Sequence, residues 1–471
     1  MKHSQSSPVF DALLTFLAKP ELAQKTLVVA YSGGLDSQVL LHALSMLKSS
    51  NKISADIRAI HIHHGLSDNA DSWQSFTGEQ CAKLDIPYQA IKVDLSVQAG
   101  GGIEEKARNA RYQAFAENTG VQDIIVTAHH QDDQTETFML ALKRGAGVLG
   151  LAAMQTLRDM PGVGLLGRPL LGINREQLQT FAEQHGLEWV EDESNQDTRF
   201  DRNFLRQQVL PLLQKRWPSF SASVNKSAAL MGQTQQLLEE LAQLDLGGTQ
   251  LHQPIPLETF NQLAEHRQLN ALRYRFKQLQ LRMPEQKPLL EALQQLRIAA
   301  ADKNPEIKCA DAVLRRYQQK LYITRDYQDI QDWSATIDDL STLSCNALCI
   351  ELPDNAGKLA LQEVVMNDMI DGENQTQPDV NNQLIVVADS STITLSCHHQ
   401  NPVCKPEGRS KSRALKKVLQ ERSIAPWMRR RLVFIYVDNI FAGVVGHFIC
   451  EDFTLAANLA HNKRVINIKQ E

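Results

Sequence analysis

"VVAYSGGLDSQVLLHAL", residues 28–44, sets two glycines, two serines and an aspartate between an apolar, β-branched run and a stretch with apolar residues at helical spacing. The pattern predicts strand, tight loop, helix. Gly33 and Gly34 can take backbone angles closed to other residues and let a ligand approach the main chain. Ser32, Ser37 and the free amide groups at the start of the following helix can then surround a phosphate at the positive helix end. The third glycine of a dinucleotide fingerprint is missing, and no lysine precedes Ser37 as in a Walker A loop. Asp36 stands where phosphate would lie, which makes sense chiefly with Mg²⁺ between them. The plainer reading is a helix cap behind two turn glycines.

Outward from this loop, "LVVAY", "IRAIHI" and "DIIVTAH", with "YQAIKVD" as a fourth candidate, alternate with helical stretches up to about residue 130. Such alternation predicts an α/β fold with a doubly wound parallel sheet and ligands at the carboxyl ends of its strands. "TAHHQDDQTETFMLALKRGAG", residues 127–147, ends a strand with His129 and His130 and opens a helix with Asp132 and Asp133. Glu136 follows at helical spacing and shares their face. Lys143 and Arg144 close the helix before Gly145, so acid first and base last also suit the helix dipole. "AIHIHHGLS", residues 59–67, repeats the strand-end histidines with His61, His63 and His64. No cysteine pair accompanies them, so the spacing is not that of a structural zinc finger. "GGIEEKARNARYQAF", residues 101–115, puts Glu104, Arg108 and Arg111 on one helical face beside Tyr112. That face is either an exposed salt-bridged surface or a set of guanidiniums countering phosphate.

The 471 residues exceed what one core supports, and 43% hydrophobic content is ample for several domains. Net charge is −5, which argues against a uniformly basic nucleic-acid binder. Seven scattered cysteines speak against a disulfide framework; "CHHQNPVC", 397–404, leaves open whether Cys397 and Cys404 hold a metal or are ordinary thiols in a turn. No 18-residue apolar run or cleavage signal is visible, so a cytoplasmic protein with no membrane association is expected; the sequence leaves the oligomeric state open. The expected organisation is a catalytic domain over 1–215, a helical connector over 216–245, a helical middle domain over 246–335, and a small α+β C-terminal domain over 345–471. Residues 405–431, "KPEGRSKSRALKKVLQERSIAPWMRRR", hold ten Lys or Arg against Glu407 and Glu421. A helix beginning near Ser412, with Leu415, Val418 and Leu419 inward, would leave Arg413, Lys416, Lys417 and Arg422 to solvent, suited to a phosphate backbone. Arg429, Arg430 and Arg431 extend the cluster, and Arg267, Arg273 and Arg275 of the middle domain are a second basic candidate.

"SGGLDS" resembles the phosphate loop of the N-type ATP pyrophosphatases, the PP-loop or adenine nucleotide alpha hydrolase-like fold. Together with "HIHHGLS", "IEEKARNARYQAF", "AHHQDDQTET", "LKRGAGVLGL" and "EDESNQDTRFDRNFLR", it is similar to the bacterial tRNA(Ile)-lysidine synthases, over about residues 27–215 most specifically. That resemblance implies an enzyme that adenylates the wobble cytidine of a tRNA(Ile) with a CAU anticodon, using ATP and Mg²⁺. The amine of free L-lysine then displaces AMP. It further implies catalytic roles for Asp36, Asp132, Asp133, Arg108 and His129, with Asp36 also the metal ligand. ATP would be held by Ser32, Gly33, Gly34, Leu35, Asp36, Ser37, His61, His63 and Arg111. Substrate would be held by Glu136, Lys143, Arg144, Arg202, Asn203 and Arg206, with Arg413, Lys416 and Lys417 on the tRNA. From the residues alone, Asp132, Asp133 and Glu136 could hold either Mg²⁺ or an ammonium; the resemblance favours lysine and the cytosine near Asp132 and Asp133.

Three other readings share part of the pattern. A sulfur-transfer relative would need thiols or an iron–sulfur cluster, and no cysteine lies between Cys81 and Cys309. An amidating ligase would need a glutaminase domain or ammonia, and 26 residues before the first strand are too few for the former. A non-catalytic tRNA-binding protein would explain the basic segment and leave the phosphate loop without work.

Overall fold

Leu27, Val28 and Val29 are buried because β1 (Thr26–Ala30) is paired on both sides, with β2 (Ile57–His63) and β4 (Asp123–Val126), both parallel. A strand covered on both faces reads as a continuous apolar run, and full burial of each such side chain contributes about 1.5–3 kcal/mol. The computed structural model describes residues 7–65, 67–94, 103–160, 164–251, 253–299, 304–343, 347–364, 382–455 and 463–470. They form two compact units, Met1–Leu241 and Ala242–Glu471.

The first unit is built on a sheet of order β3-β2-β1-β4-β6-β5. β3 (Tyr88–Lys92) and β6 (Gly164–Gly167) are parallel to their inner neighbours, and β5 (Leu157–Met160) is an antiparallel edge. Its helices are α1 (Pro8–Leu17), α2 (Leu35–Ser49), α3 (Ala70–Lys83), α4 (Ile103–Asn118), α5 (Gln131–Lys143), α6 (Val148–Leu151), α7 (Arg175–Gln184), α8 (Asp201–Phe204), α9 (Leu210–Arg216) and the long α10 (Phe220–Asp245), which continues into the second unit. One sheet face packs Leu27, Val29, Ile57 and Ile124 against Leu13, Leu40, Cys81 and Phe181 from α1, α2, α3 and α7. The opposite face packs Val28, Ile60, Ile125 and Leu166 against Phe115 of α4. Strand order reverses beside β1, which opens a crevice between the carboxyl ends of β1 and β4.

In the second unit, β7 (Ile255–Pro256), α11 (Leu257–Phe260), α12 (Glu265–Gln278), α13 (Gln286–Ile298), β8 (Glu306–Cys309), β9 (Ala312–Tyr317) and β10 (Lys320–Arg325) share one core, including Phe260, Leu272, Phe276, Leu293, Leu314 and Leu321. The helical expectation for this stretch missed its antiparallel sheet, β7-β10-β9-β8. The β9–β10 hairpin turns on Gln318 and Gln319, both at positive φ, where Asn-Gly would have announced the turn. Beyond it, β11 (Ser334–Ile337), β12 (Leu348–Glu351), β13 (Lys358–Val364), β14 (Asn382–Ala388), β15 (Ile393–Ser396), β18 (Phe434–Val437), β19 (Ile440–Val444), β20 (Phe448–Ile449) and β21 (Lys463–Gln470) build two main sheets around a shared core, while β16 (Val403–Cys404) and β17 (Arg413–Ala414) pair by themselves and a second core holds Cys404, Phe434, Phe448 and Cys450. α14 (Leu415–Glu421) and α15 (Pro426–Arg429) lie beside them. No helix among the described residues is long and apolar enough to cross a membrane.

Two arginines expected to face RNA are buried instead. Arg275 donates to the carbonyls of Gln250 and Leu251 at 2.8 and 2.9 Å, closing the loop after α10. Arg431 donates to Asp354 Oδ2 at 2.7 Å and stacks over Tyr327 at 4.2 Å, so its charge is spent inside the unit. Arg267 is paired with Asp245, Nε to Oδ2 at 3.1 Å. Arg275→Ala should therefore destabilise the second unit by about 2–3 kcal/mol, because a buried side chain and the bonds that tie the loop after α10 to α12 are lost together. A lowered urea midpoint checks this.

Candidate active site

Four strand ends supply the site: the loop after β1, His61 and His63 at the end of β2, Thr127 to His130 after β4, and Arg168 after β6. In the loop, Gly33 sits at φ +85°, and a Cβ there would lie 2.9 Å from Thr77 Cγ2 and 3.1 Å from Val190 Cγ2. Only glycine fits. Gly34 differs from the expectation made for both glycines: as N-cap of α2 it has ordinary extended angles, φ −72° and ψ 162°, and its added Cβ would meet Ser32 Oγ at 3.6 Å. Ser32 and Ser37 hydroxyls lie 3.1 Å apart, and Ser37 Oγ donates to the Gly34 carbonyl at 3.0 Å. The amides of the first turn of α2, including those of Leu35 and Asp36, face the crevice end without intrahelical partners, as at any helix start.

Asp36 is held by Arg175, whose Nη1 donates to both carboxylate oxygens at 2.7 and 2.8 Å. Its Oδ2 also lies 3.6 Å from His130 Nε2. His130 is the N-cap of α5: its Nδ1 accepts the Asp132 amide at 3.2 Å, while Asp133 Oδ2 accepts the His130 amide at 3.0 Å. The sequence explains this locally, since Asp133 stands three residues after the cap and completes a reciprocal capping box. Burial disfavours the His130 imidazolium, but Asp36, Asp133 and Asp132 outweigh it and raise its pKa. Protonating Nδ1 would cost the cap, so the geometry fits a neutral ring carrying its proton on Nε2. Asp133 is likewise buried, yet His130, His129, the His130 amide and Arg206 hold its pKa below the ordinary value.

Glu136 is fully buried and saturated by arginine. Arg206 grips it in bidentate fashion, Nε to Oε1 at 2.6 Å and Nη2 to Oε2 at 3.0 Å, and Arg202 Nε approaches Oε2 at 3.2 Å. Burial raises the Glu136 pKa against these guanidiniums, and for Arg206 the burial that favours deprotonation is overcome by Glu136 and Asp133. The fork geometry matches an ionised pair. Arg206 Nη2 also donates to Asp133 Oδ1 at 3.0 Å, so Asp133, Glu136, Arg202 and Arg206 form one cluster.

The other expected residues have these surroundings. Asn203 donates to the Asp197 carbonyl at 3.0 Å and braces the preceding loop. Lys143 pairs with Asp201 at 2.7 Å on the surface, beside a cavity of about 330 Å³ lined by Met139, Leu142, Phe204 and Leu205; Arg144 is exposed at the helix end. His61 Nδ1 lies 3.0 Å from the Tyr31 carbonyl under the phosphate loop, whereas His63 turns to Asp71 at 3.1 Å. Arg108 stacks over Tyr112 at 5.5 Å; the Glu104 side chain lies outside the described residues. Arg413, Lys416 and Lys417 are exposed, with Arg413 bonded to Glu421, and Leu415, Val418 and Leu419 face inward as expected. Cys404 packs against Cys450, while Cys397 belongs to a different core. Among the described residues no group of three or more His, Cys, Asp or Glu is arranged to hold a metal. Arg175 and Arg168 also lie beside these groups and were not among the expected residues, and His130 was expected only as the partner of His129 at the strand end, with no role of its own. Only His130 carried a local signal, its place one residue after His129.

Burial lowers the His129 pKa to about 4, with Asp133 opposing and Arg168, Arg202 and Arg111 adding to the fall. A group whose folded pKa lies below its unfolded value stabilises the fold above the unfolded pKa and loses that contribution as pH falls toward the folded one. Between pH 6.5 and 5 the native chain should therefore lose about 1.5 kcal/mol more than His129→Gln. Urea midpoints of both proteins at the two pH values check it.

A PP-loop domain model matches residues 7–213, a TilS substrate binding domain model residues 255–322, and a TilS substrate C-terminal domain model residues 393–465. The chain is 38% identical over 441 residues to the tRNA(Ile)-lysidine synthase of Vibrio vulnificus, covering 93% of this chain and 95% of the relative. It is 37% identical over 431 residues to the Proteus mirabilis enzyme of the same name, covering 90% and 91%. Among solved structures, the U34-tRNA thiolase NcsA of Methanococcus maripaludis aligns with a TM-score of 0.40 at 17% identity, covering 48% of this chain and 78% of that one. With coverage and identity of this order, and with three domain models matched in sequence along it, the chain belongs to the tRNA(Ile)-lysidine synthase family.

Proposed function

We infer that the crevice between β1 and β4 is where this ligase joins L-lysine to the wobble cytidine of a CAU-anticodon tRNA(Ile). The chain is an ATP-dependent tRNA-modifying enzyme that forms lysidine. The observation that carries the site assignment is that His130 Nε2 lies 3.6 Å from Asp36 and 3.5 Å from Asp133, which sets the phosphate loop directly beside the carboxylate and arginine cluster.

In the reaction, the cytidine O2 bonds to the α-phosphorus of ATP as the bond to pyrophosphate breaks. The lysine amine then bonds to C2, and AMP departs with that oxygen while the amine gives up a proton. Gly33, the two hydroxyls and the α2 amides suit the pyrophosphate and its charge. Mg²⁺ accompanying the nucleotide would neutralise the leaving phosphates, and Asp36 is the carboxylate in place to hold it. The fit is that of Mg²⁺ on one carboxylate plus phosphates, since Asp36 carries a single arginine ion pair that an incoming cation can replace. Arg108 and Arg111 of α4 would counter charge building at the α-phosphate. His61 and His63 would flank the nucleotide, and His129, held neutral, would act as a hydrogen-bonding group.

A free amino acid brings a carboxylate as well as ammonium groups. Glu136 is occupied by two guanidiniums, so we assign it to hold Arg206 and Arg202 in place, with Arg206 taking the lysine carboxylate and Asp132 and Asp133 the ammonium end. Residues 1–215 then carry the chemistry, with 216–245 as the connector. Residues 246–335 and 345–471 hold the tRNA, Arg413, Lys416 and Lys417 binding its phosphates. The cytoplasm is the compartment where this substrate is met.

Asp36→Asn should lower tRNA-dependent pyrophosphate release by about 10²–10³-fold at saturating Mg²⁺ while the fold persists. A rate within threefold of native refutes the role given to Asp36. Mass analysis of the tRNA product should show one lysine-sized addition at a single cytidine; an added sulfur would contradict the site reading.

Reversing the charges of Arg413, Lys416 and Lys417 should weaken tRNA binding and flatten its salt dependence by about 0.7–0.9 in log–log slope for each phosphate no longer neutralised. ATP binding should be unchanged. Filter binding over a salt series measures both, and an unaltered slope would place the RNA elsewhere.

A further inference from the structure

Five side chains run without a gap from the phosphate loop to the amino-acid subsite, with an arginine at each end, a carboxylate inside each arginine and an imidazole at the centre. Arg175 holds Asp36 at 2.7 Å, Asp36 faces His130 at 3.6 Å, His130 faces Asp133 at 3.5 Å, and Asp133 accepts from Arg206 at 3.0 Å. His130, 3% exposed, is the midpoint. Its Nδ1 is used by the Asp132 amide, which leaves one N–H, on Nε2, facing two carboxylates. Both distances are long for a hydrogen bond, so neither carboxylate owns that proton. The α5 cap uses only Nδ1, so Nε2 is left to the two carboxylates.

We propose that His130 is a positioning residue that couples the nucleotide site to the lysine site by sharing its single Nε2–H between Asp36 and Asp133. The proposal rests on the site reading above. When the phosphates and their cation engage Asp36, that carboxylate turns away from His130, and the N–H passes undivided to Asp133 Oδ2. This oxygen already accepts the His130 amide at 3.0 Å. Two donors then fix the Asp133 rotamer and leave Oδ1 presented beside Arg206 for the incoming ammonium. Lysine meets a carboxylate whose orientation has already been set, which removes part of the ordering cost of binding. Because the coupling is an equilibrium property, lysine tightens nucleotide binding by the same factor.

Calorimetric titration of L-lysine into the full chain, with and without Mg²⁺ and a non-cleavable ATP analogue, measures that factor. The analogue should tighten the lysine Kd by about fivefold or more in the native protein. His130→Asn keeps a side-chain acceptor for the α5 cap but is too short to bridge both carboxylates. It should bind each ligand alone as the native chain does, yet show no effect of one on the other. His130→Ala should also lose the coupling, and in addition unfold at lower temperature through loss of the cap. A native lysine affinity that the analogue leaves unchanged or weakens overturns the proposal, as does coupling that survives in His130→Asn. Loss of either ligand's own binding in His130→Asn overturns it too, since His130 would then be part of a binding site. A native chain that binds no lysine with or without the analogue, and adds none to tRNA, contradicts the site reading itself; normal lysine addition without coupling contradicts this inference alone.

Discussion

β1 is hydrogen-bonded on both sides and packed on both faces, and the site inherits its geometry from that strand. Parallel pairing with β2 and β4 aligns three carboxyl ends, so the phosphate loop, the His61 to His64 segment and the His129–His130 pair emerge on one edge. The reversal of strand order beside β1 leaves that edge open only between β1 and β4. Gly33 is the local consequence. To turn from β1 into α2 beneath Thr77 and Val190, the chain needs a left-handed residue without a Cβ. The Gly33 carbonyl in turn accepts the Val190 amide at 3.0 Å, tying the loop to the segment that leads toward Arg202 and Arg206.

Charge in this crevice is arranged by compensation. A carboxylate with no exposure, such as Glu136, is stable as an anion only where ionic partners replace its water. Arg202 and Arg206 come from the turn Asp201–Val209, four residues apart, and a π-helical segment at Leu205–Val209 follows α8 there. Such a segment re-aims side chains relative to an ordinary helix and recurs at functional sites. The cluster is thus rigid where Glu136 is enclosed, and it meets solvent through Arg206, whose side chain is 40% exposed. Rigidity behind and access in front suit a subsite that must orient a small zwitterion.

The parts legible in the sequence were those whose physics is local. Strand, loop and helix at 26–49, the acid-first α5, and the inward Leu415, Val418 and Leu419 each follow from spacing within one element. What could not be read is long-range. The Arg175–Asp36 pair joins residues 139 positions apart, and nothing near Arg175 distinguishes it from any cation in the first turn of a helix. The β9–β10 hairpin was hidden because Gln318 and Gln319 bear the positive φ that glycine or asparagine usually advertises. Composition also over-counted the basic face: sequence sees ten cations between 405 and 431 and cannot see that Arg431 lies under Tyr327 against Asp354.

That last distinction sorts the cations of the second unit by what they do. Arg275 and Arg431 are buried among carbonyls and a carboxylate, where a planar fork with five donors satisfies several acceptors at once, work a lysine ammonium does poorly. Lys416 and Lys417 sit on the outer side of a short helix whose inner side is anchored by Leu415, Val418 and Leu419. Flexible ammonium groups on a fixed backbone keep their hydration and their reach, and a polyanion drawn to them releases counterions rather than desolvating a buried pair. Arg409 and Arg413 stand between the two classes, both held by Glu421. For these two, an approaching phosphate has to compete with an exposed carboxylate whose hold weakens with salt. On the RNA face proposed above, these two arginines therefore count for less than the number of positive residues in the segment implies, and exposed cations such as Lys416 and Lys417 for more.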